Sequence, residues 1–255
     1  MDHWHSKGGD TVKYLGSKAR IAKYIVPIIQ SYINNNQIEV YIEPFAGGMN
    51  VIDKIDCKYK IANDNNPYLI AMFKQLVETP DLLESHTVCS KERYVAVRES
   101  YKNHDGKYPD WYIGYIGFLA SQNGRFFDGG YAKPTAERNY FDEARRNLIK
   151  QVPYLNNVNF QCSDYRGCRL DRQAVIYCDP PYKNVKSYTT SRNFDYECFY
   201  EWCRTMSQEY ILLVSESEMP DDFEAIWTGN LSTSVSNCST TTRVEKLWKY
   251  KGGIA

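Results

Sequence analysis

The densest chemistry in the chain is a run of four residues, Asp179-Pro180-Pro181-Tyr182, placed directly after the apolar stretch 174–178. Two successive prolines force an extended, rigid backbone and remove two N–H donors. The carbonyls and the Asp179 carboxylate then form a fixed set of acceptors. Such a set suits a group carrying two N–H donors, for example an exocyclic amine, and Tyr182 offers a flat ring on which a base can stack. A plain Pro-Pro turn beside an aromatic residue would read the same way. The acid in first place, after a strand with the pattern of a buried one, favours a site.

Two further groups stand at strand ends. Glu43-Pro44-Phe45-Ala46-Gly47-Gly48 closes the stretch 39–44, and its glycines let the backbone approach a ligand that a Cβ would obstruct. Asp64 ends the next strand, about 20 residues after that turn, where an acid can accept both hydroxyls of a ribose. Each has an ordinary alternative: glycine turns after strands are common, and an acid after a strand is often a helix cap.

The elements that must position these groups follow from periodicity. Residues 18–33 place Ile21, Ile25, Ile28, Ile29 and Tyr32 on one helical face, with Pro27 as a possible bend. Residues 39–44 and 59–64 read as strands, 48–56 as the start of a helix, and 67–77 as a helix with Pro67 in its first turn. Strand, glycine turn, helix, strand, acid, helix is the opening of a doubly wound α/β domain. From about 70 to 155 the pattern turns helical and aromatic-rich, interrupted by glycine-containing pieces such as 123–131. Strand patterns resume at 158–162, 174–178 and 210–215, and stretches near 231–235 and 242–248 fit a terminal hairpin. The predicted organisation is an α/β domain made of 1–69 and 156–255, with 70–155 as a helical insertion.

Composition bounds the class. The chain has 255 residues, 43% hydrophobic and 24% charged, as ordinary globular proteins do. No apolar run reaches the roughly 20 residues of a membrane span, and the N-terminal residues lack a signal-peptide core, so a cytoplasmic protein without a membrane partner is expected. The eight cysteines form no C-x-x-C pair, and none has a histidine at ligand spacing, so the expectation is reduced thiols and no metal. Formal net charge is zero, which gives no global attraction for nucleic acid. Charge is biased locally: 181–193 carries Lys183, Lys186 and Arg192 without an acid, and 239–251 carries Arg243, Lys246, Lys249 and Lys251 against Glu245 alone. Both stretches read equally as solvated surface or as the lining of a site for an anionic partner.

Five motifs in order, Tyr14-Leu15-Gly16-Ser17-Lys18, Glu43 to Gly48, Asn63 to Pro67, Ser163-Asp164-Tyr165 and Asp179 to Tyr182, resemble those of the Dam-type DNA adenine N6-methyltransferases (D12 class, α order). The resemblance runs from about residue 12 to the C-terminus. It implies a Rossmann-like doubly wound sheet that uses S-adenosyl-L-methionine, with 70–155 as the target-recognition insertion. By resemblance, Tyr14 and Lys18 would meet the methionine end of the cofactor, Glu43, Pro44, Phe45, Ala46 and Gly47 would wrap it, and Asp64 with Asn65 would bind the ribose. Asp164 would accept from the cofactor's adenine amine, with Tyr165 packed on that ring. Asp179 would border the cofactor while it and the Pro180 carbonyl hold the target N6 amine, with Pro181 completing the turn and Tyr182 stacking on a base flipped out of duplex DNA.

The chain departs from the family pattern in two places. Met49-Asn50 stand where small residues are usual, and 128–131 does not match the base-reading hairpin of enzymes that modify GATC. Residues 121–127 do resemble the family's Asn/Gly/Arg loop. Asn123, Arg125, Lys133, Lys183, Lys186, Tyr188 and Arg192 are therefore the expected DNA contacts. The expected partner is double-stranded DNA, with the chain a monomer or weak dimer and a separate restriction endonuclease as a companion the family allows. N4-cytosine methylation, an RNA adenine substrate, or a catalytically silent DNA-binding homologue are the alternative readings.

Overall fold

The computed structural model describes residues 18–168, 170–183, 194–236 and 239–254. In chain order its elements are α1 (Ala22–Asn35), β1 (Val40–Glu43), β2 (Tyr59–Asn63), α2 (Pro67–Glu78), α3 (Leu82–Ser85), α4 (Lys91–Asn103) and α5 (Asp110–Leu119). There follow α6 (Tyr140–Gln151), β3 (Val158–Gln161), β4 (Val175–Cys178), α7 (Tyr196–Met206), β5 (Ile211–Glu216), β6 (Phe223–Ser236) and β7 (Ser239–Tyr250). The strands hydrogen-bond in the order β3-β2-β1-β4-β5-β7-β6. The chain divides into two compact units, one of 1–22, 46–55 and 62–163, the other of 23–45, 56–61 and 164–255. Strand β2 is shared between them.

The second unit carries most of the sheet. β1, β4 and β5 run parallel, with Ile42 beside Ile176 and Cys178 beside Val214. Every residue of these three strands is buried, as expected of parallel strands covered on both faces. β7 joins β5 antiparallel and β6 pairs with β7, so the expected terminal hairpin is present and longer than its sequence signals. Helix α1 buries Ile25, Ile29 and Ile33, a stripe four residues apart, while Ile28 and Tyr32 are only half-buried. Pro27 lies inside α1 without ending it.

The first unit is mainly helical. Asn66 caps α2 by accepting the N–H groups of Tyr68 and Leu69, with Pro67 in the first turn, and Asn139 caps α6 in the same manner. Helix α5 lies close to α2 because Gly114 has no side chain: a Cβ there would collide with the Tyr68 carbonyl. The helix start predicted for 48–56 is only a 3₁₀ turn, Ile52–Lys54. Gly47 and Met49 take left-handed backbone angles that an α-helix cannot continue. Tyr14, Lys186, Tyr188 and Arg192 lie outside the described residues.

Candidate active site

In the first unit the glycine turn is built around Asp64. Its Oδ2 accepts the Gly47 N–H at 3.0 Å and its Oδ1 accepts the Asn66 N–H at 2.9 Å. Burial raises the Asp64 carboxyl pKa above its ordinary value, while the amides of Asn66, Gly47 and Asn65 pull it back down. A carboxylate has about four acceptor positions, so these backbone donors leave capacity for a ligand hydroxyl. Ala46 donates its N–H to the Asn63 carbonyl at 2.9 Å, which ties the turn to the end of β2.

A second support comes from α6. The buried Gln151 amide donates to the carbonyls of Gly48 (3.0 Å) and Met49 (3.1 Å) and to Asp53 Oδ2 (3.2 Å). Asn63 donates to the Ser163 carbonyl at 3.0 Å, and the Ser163 hydroxyl returns a bond of 2.9 Å. This pair fixes the residue just before Asp164. Lys18, also expected at the cofactor, is buried.

In the second unit the end of β1 supplies Glu43, which is buried and accepts the Tyr41 hydroxyl at 2.7 Å. Phe45 packs against Tyr165 with ring centroids 5.1 Å apart, and both rings also meet Phe194 and Phe199. Asp164 is exposed, caps the short turn Tyr165–Gly167, and pairs with Arg166 at 2.7 Å. That guanidinium holds the Asp164 carboxyl below the usual carboxylate range.

Asp179-Pro180-Pro181-Tyr182 begins immediately after β4, where a parallel sheet presents its ligand-binding edge. The Tyr196 hydroxyl donates to the Pro181 carbonyl at 3.0 Å. Among the described residues the Pro180 carbonyl has no protein donor. Tyr182 donates its hydroxyl to Glu245 at 2.6 Å. Burial, followed by the charges of Asp179, Glu43 and Glu245, drives the nearby Tyr177 phenol pKa well above its ordinary value. Acidic groups therefore gather around the tetrad. Glu216, at the end of β5, joins them: it is 1% exposed, and burial, with a smaller effect of Asp179, raises its pKa. Lys183 is exposed, with its ammonium 5.8 Å from the Tyr196 ring.

Among the expected DNA contacts, Asn123 and Arg125 lie in a loop of the first unit closed by the antiparallel bridge Ser121–Tyr131. Asn123 is exposed and left-handed at φ 56°, Arg125 is half-buried, and Lys133 is exposed just beyond the loop. Three groups had no motif to announce them: Gln151, Glu216 and Glu245. The last two had faint signals, an acid ending an apolar strand and the lone acid of a basic stretch. The described cysteines are free thiols, and burial lifts those of Cys89 and Cys168 to about 11, out of the reactive range. Among the described residues no cluster of His, Cys, Asp or Glu is arranged to hold a metal, and no helix is long and apolar enough to cross a membrane.

Residues 14–218 match the family model of the D12 class N6 adenine-specific DNA methyltransferases, more than half of the chain. The chain belongs to this family. Its resemblance in five motifs is thereby upheld, as is the α/β fold class it implied. Among curated proteins, the chain is 27% identical over 212 residues to the Type II methyltransferase M.FokI of Planomicrobium okeanokoites, covering 76% of this chain and 31% of that protein. It is 26% identical over 219 residues to the Type II methyltransferase M.MjaIII of Methanocaldococcus jannaschii, covering 72% of this chain and 74% of that one. The chain thus spans about a third of the first relative. The crystal structure of SMU.472 complexed with SAH aligns over 92% of this chain and 54% of that one at 12% identity, with a TM-score of 0.33.

Proposed function

We propose that the chain transfers a methyl group from S-adenosyl-L-methionine to N6 of adenine at specific sites in double-stranded DNA. Membership of the D12 class carries the reaction and the base. The observation that carries the mechanism is the state of the tetrad's carbonyls: Tyr196 engages that of Pro181, and among the described residues no protein donor engages that of Pro180.

The residues present suit the cofactor. It is a nucleoside with a sulfonium and an amino-acid end, and the chain offers carboxylates at Glu43, Asp64 and Asp164 and aromatic rings at Phe45 and Tyr165. Glu43 to Gly47 and Lys18 would hold the methionine end, Asp64 and Asn65 the ribose, and Asp164 and Tyr165 the adenine. Bound S-adenosyl-L-methionine supplies an electrophilic methyl group on a cationic sulfur.

Adenine N6 is a weak nucleophile because its lone pair is delocalised into the ring. Asp179 and the Pro180 carbonyl accept its two hydrogens, which favours a pyramidal nitrogen with an available lone pair. This is positioning plus electrostatic stabilisation by acceptors already in place. Asp179 holds the departing proton once nitrogen has gained its fourth bond. Tyr182 stacks on the base, offsetting part of the few kcal/mol that flipping costs.

Residues 70–155 serve as the target-recognition insertion, with Asn123 and Arg125 reading base edges and Lys133 and Lys183 meeting phosphates. The test is label incorporation from S-adenosyl-L-methionine into matched substrates: adenine-containing duplexes, duplexes in which every adenine is replaced, and RNA. Label is expected only in the first. Label in adenine-free duplex or in RNA overturns the assignment.

A further inference from the structure

Phenylalanine would stack on a base much as tyrosine does, so the hydroxyl of Tyr182 adds something beyond stacking. It is committed to Glu245 Oε2 at 2.6 Å, the short range of a charge-assisted bond. Glu245 is 4% exposed. A buried carboxylate is costly unless hydrogen-bonded, and here the phenol supplies a donor. Both ends of the link are anchored. β7 is bonded to β5 on one side and β6 on the other, with Glu216 beside Lys246 and Ser215 beside Leu247. β5 in turn pairs with β4, whose last residue precedes the tetrad.

We propose that Glu245 is a positioning residue for methyl transfer, holding the Tyr182 ring at a fixed angle so that the target base meets a platform already set. This rests on the reading that Tyr182 stacks on the flipped base. A ring free to turn would have to be ordered each time a base enters, and one immobilised side chain changes apparent affinity by about 3- to 10-fold. The effect belongs to the DNA step and not to cofactor binding.

The experiment measures kcat, KM for duplex DNA and the dissociation constant of S-adenosyl-L-methionine for Glu245→Ala, Glu245→Gln, Tyr182→Phe, Tyr182→Ala and the double variant Glu245→Ala/Tyr182→Phe. Glu245→Ala and Tyr182→Phe are each expected to raise KM for DNA about 3- to 10-fold. The double variant should match Glu245→Ala, because the hydroxyl has no tether left to lose once the carboxylate is gone, and cofactor affinity should hold. Glu245→Gln keeps an acceptor oxygen and should recover part of the loss seen with alanine. A wild-type KM for Tyr182→Phe, measured on the folded variant, overturns the proposal, as do effects that multiply in the double variant. If Tyr182→Ala transfers methyl groups normally, the stacking reading itself fails. If Tyr182→Ala is disabled while Glu245→Ala and Tyr182→Phe behave as wild type, only the tether fails.

Discussion

The glycine turn of the first unit and the proline tetrad of the second solve opposite problems. The turn gathers backbone donors, the N–H groups of Gly47 and Asn66, around one buried carboxylate, and Gln151 secures its carbonyls from α6. In the tetrad two prolines remove two N–H donors, and its carboxylate lies near further acids at Glu43, Glu216 and Glu245. The acid of the first region shapes a loop, and the acid of the second is the one we propose for the target amine.

The sharpest break of this contrast is Asp179→Ala. Losing a preorganised group that acts on the reacting atom is expected to cut the methyl-transfer rate by about 10²- to 10³-fold or more, with S-adenosyl-L-methionine still bound. Single-turnover kinetics and calorimetry separate the two quantities, and lost cofactor binding in a folded variant would merge the roles. Asp64→Ala should act the other way round. Removing a charged hydrogen-bonding group is worth about 1.5–3 kcal/mol, so cofactor affinity should fall by about 10- to 100-fold. Unchanged affinity would leave Asp64 as a loop support alone.

Gln151→Ala isolates the loop-shaping role. It strands the Gly48 carbonyl and leaves that of Met49 only the Asp53 N–H, so about 1–3 kcal/mol of stability should be lost in urea unfolding, together with a smaller loss of cofactor affinity. A stability unchanged from wild type would show that the bonds to Gly48 and Met49 do not support the turn.

The smallest effect concerns Glu216. Its pKa in the folded chain is raised above the ordinary 4.5. Its contribution to stability is therefore full below about pH 4.5 and declines as pH rises through the raised value. Glu216→Gln cannot ionise, so its Tm should gain on that of the wild type as pH rises above 4.5. A Tm difference that does not vary with pH would contradict the burial argument.

What the sequence made legible is what lies close together along it. Asp64 follows its strand directly, the tetrad follows β4, and Pro67 with Asn66 marks the start of α2; each motif carries its own local reason. The supports are different. Gln151 meets a turn more than 100 positions away, Glu245 meets Tyr182 from 63 positions away, and Tyr196 reaches the Pro181 carbonyl from 15 positions away. No period in the sequence encodes such pairings, since they depend on which strands become neighbours. The 3₁₀ turn at Ile52–Lys54 departs from the expected helix start for a related reason. Apolar residues at 49, 51, 52 and 55 mimic a helix face, but Gly47 and Met49 adopt left-handed angles imposed by the turn itself. The terminal hairpin was visible only in part, because its first half alternates weakly.

The most direct measurement is nucleoside mass spectrometry of unmethylated genomic DNA after incubation with the protein and labelled S-adenosyl-L-methionine, alongside Asp179→Ala. Labelled N6-methyladenine is expected with the wild type and none with the variant. Labelled N4-methylcytosine, or no labelled nucleoside from a protein that binds the cofactor, would contradict the proposed function.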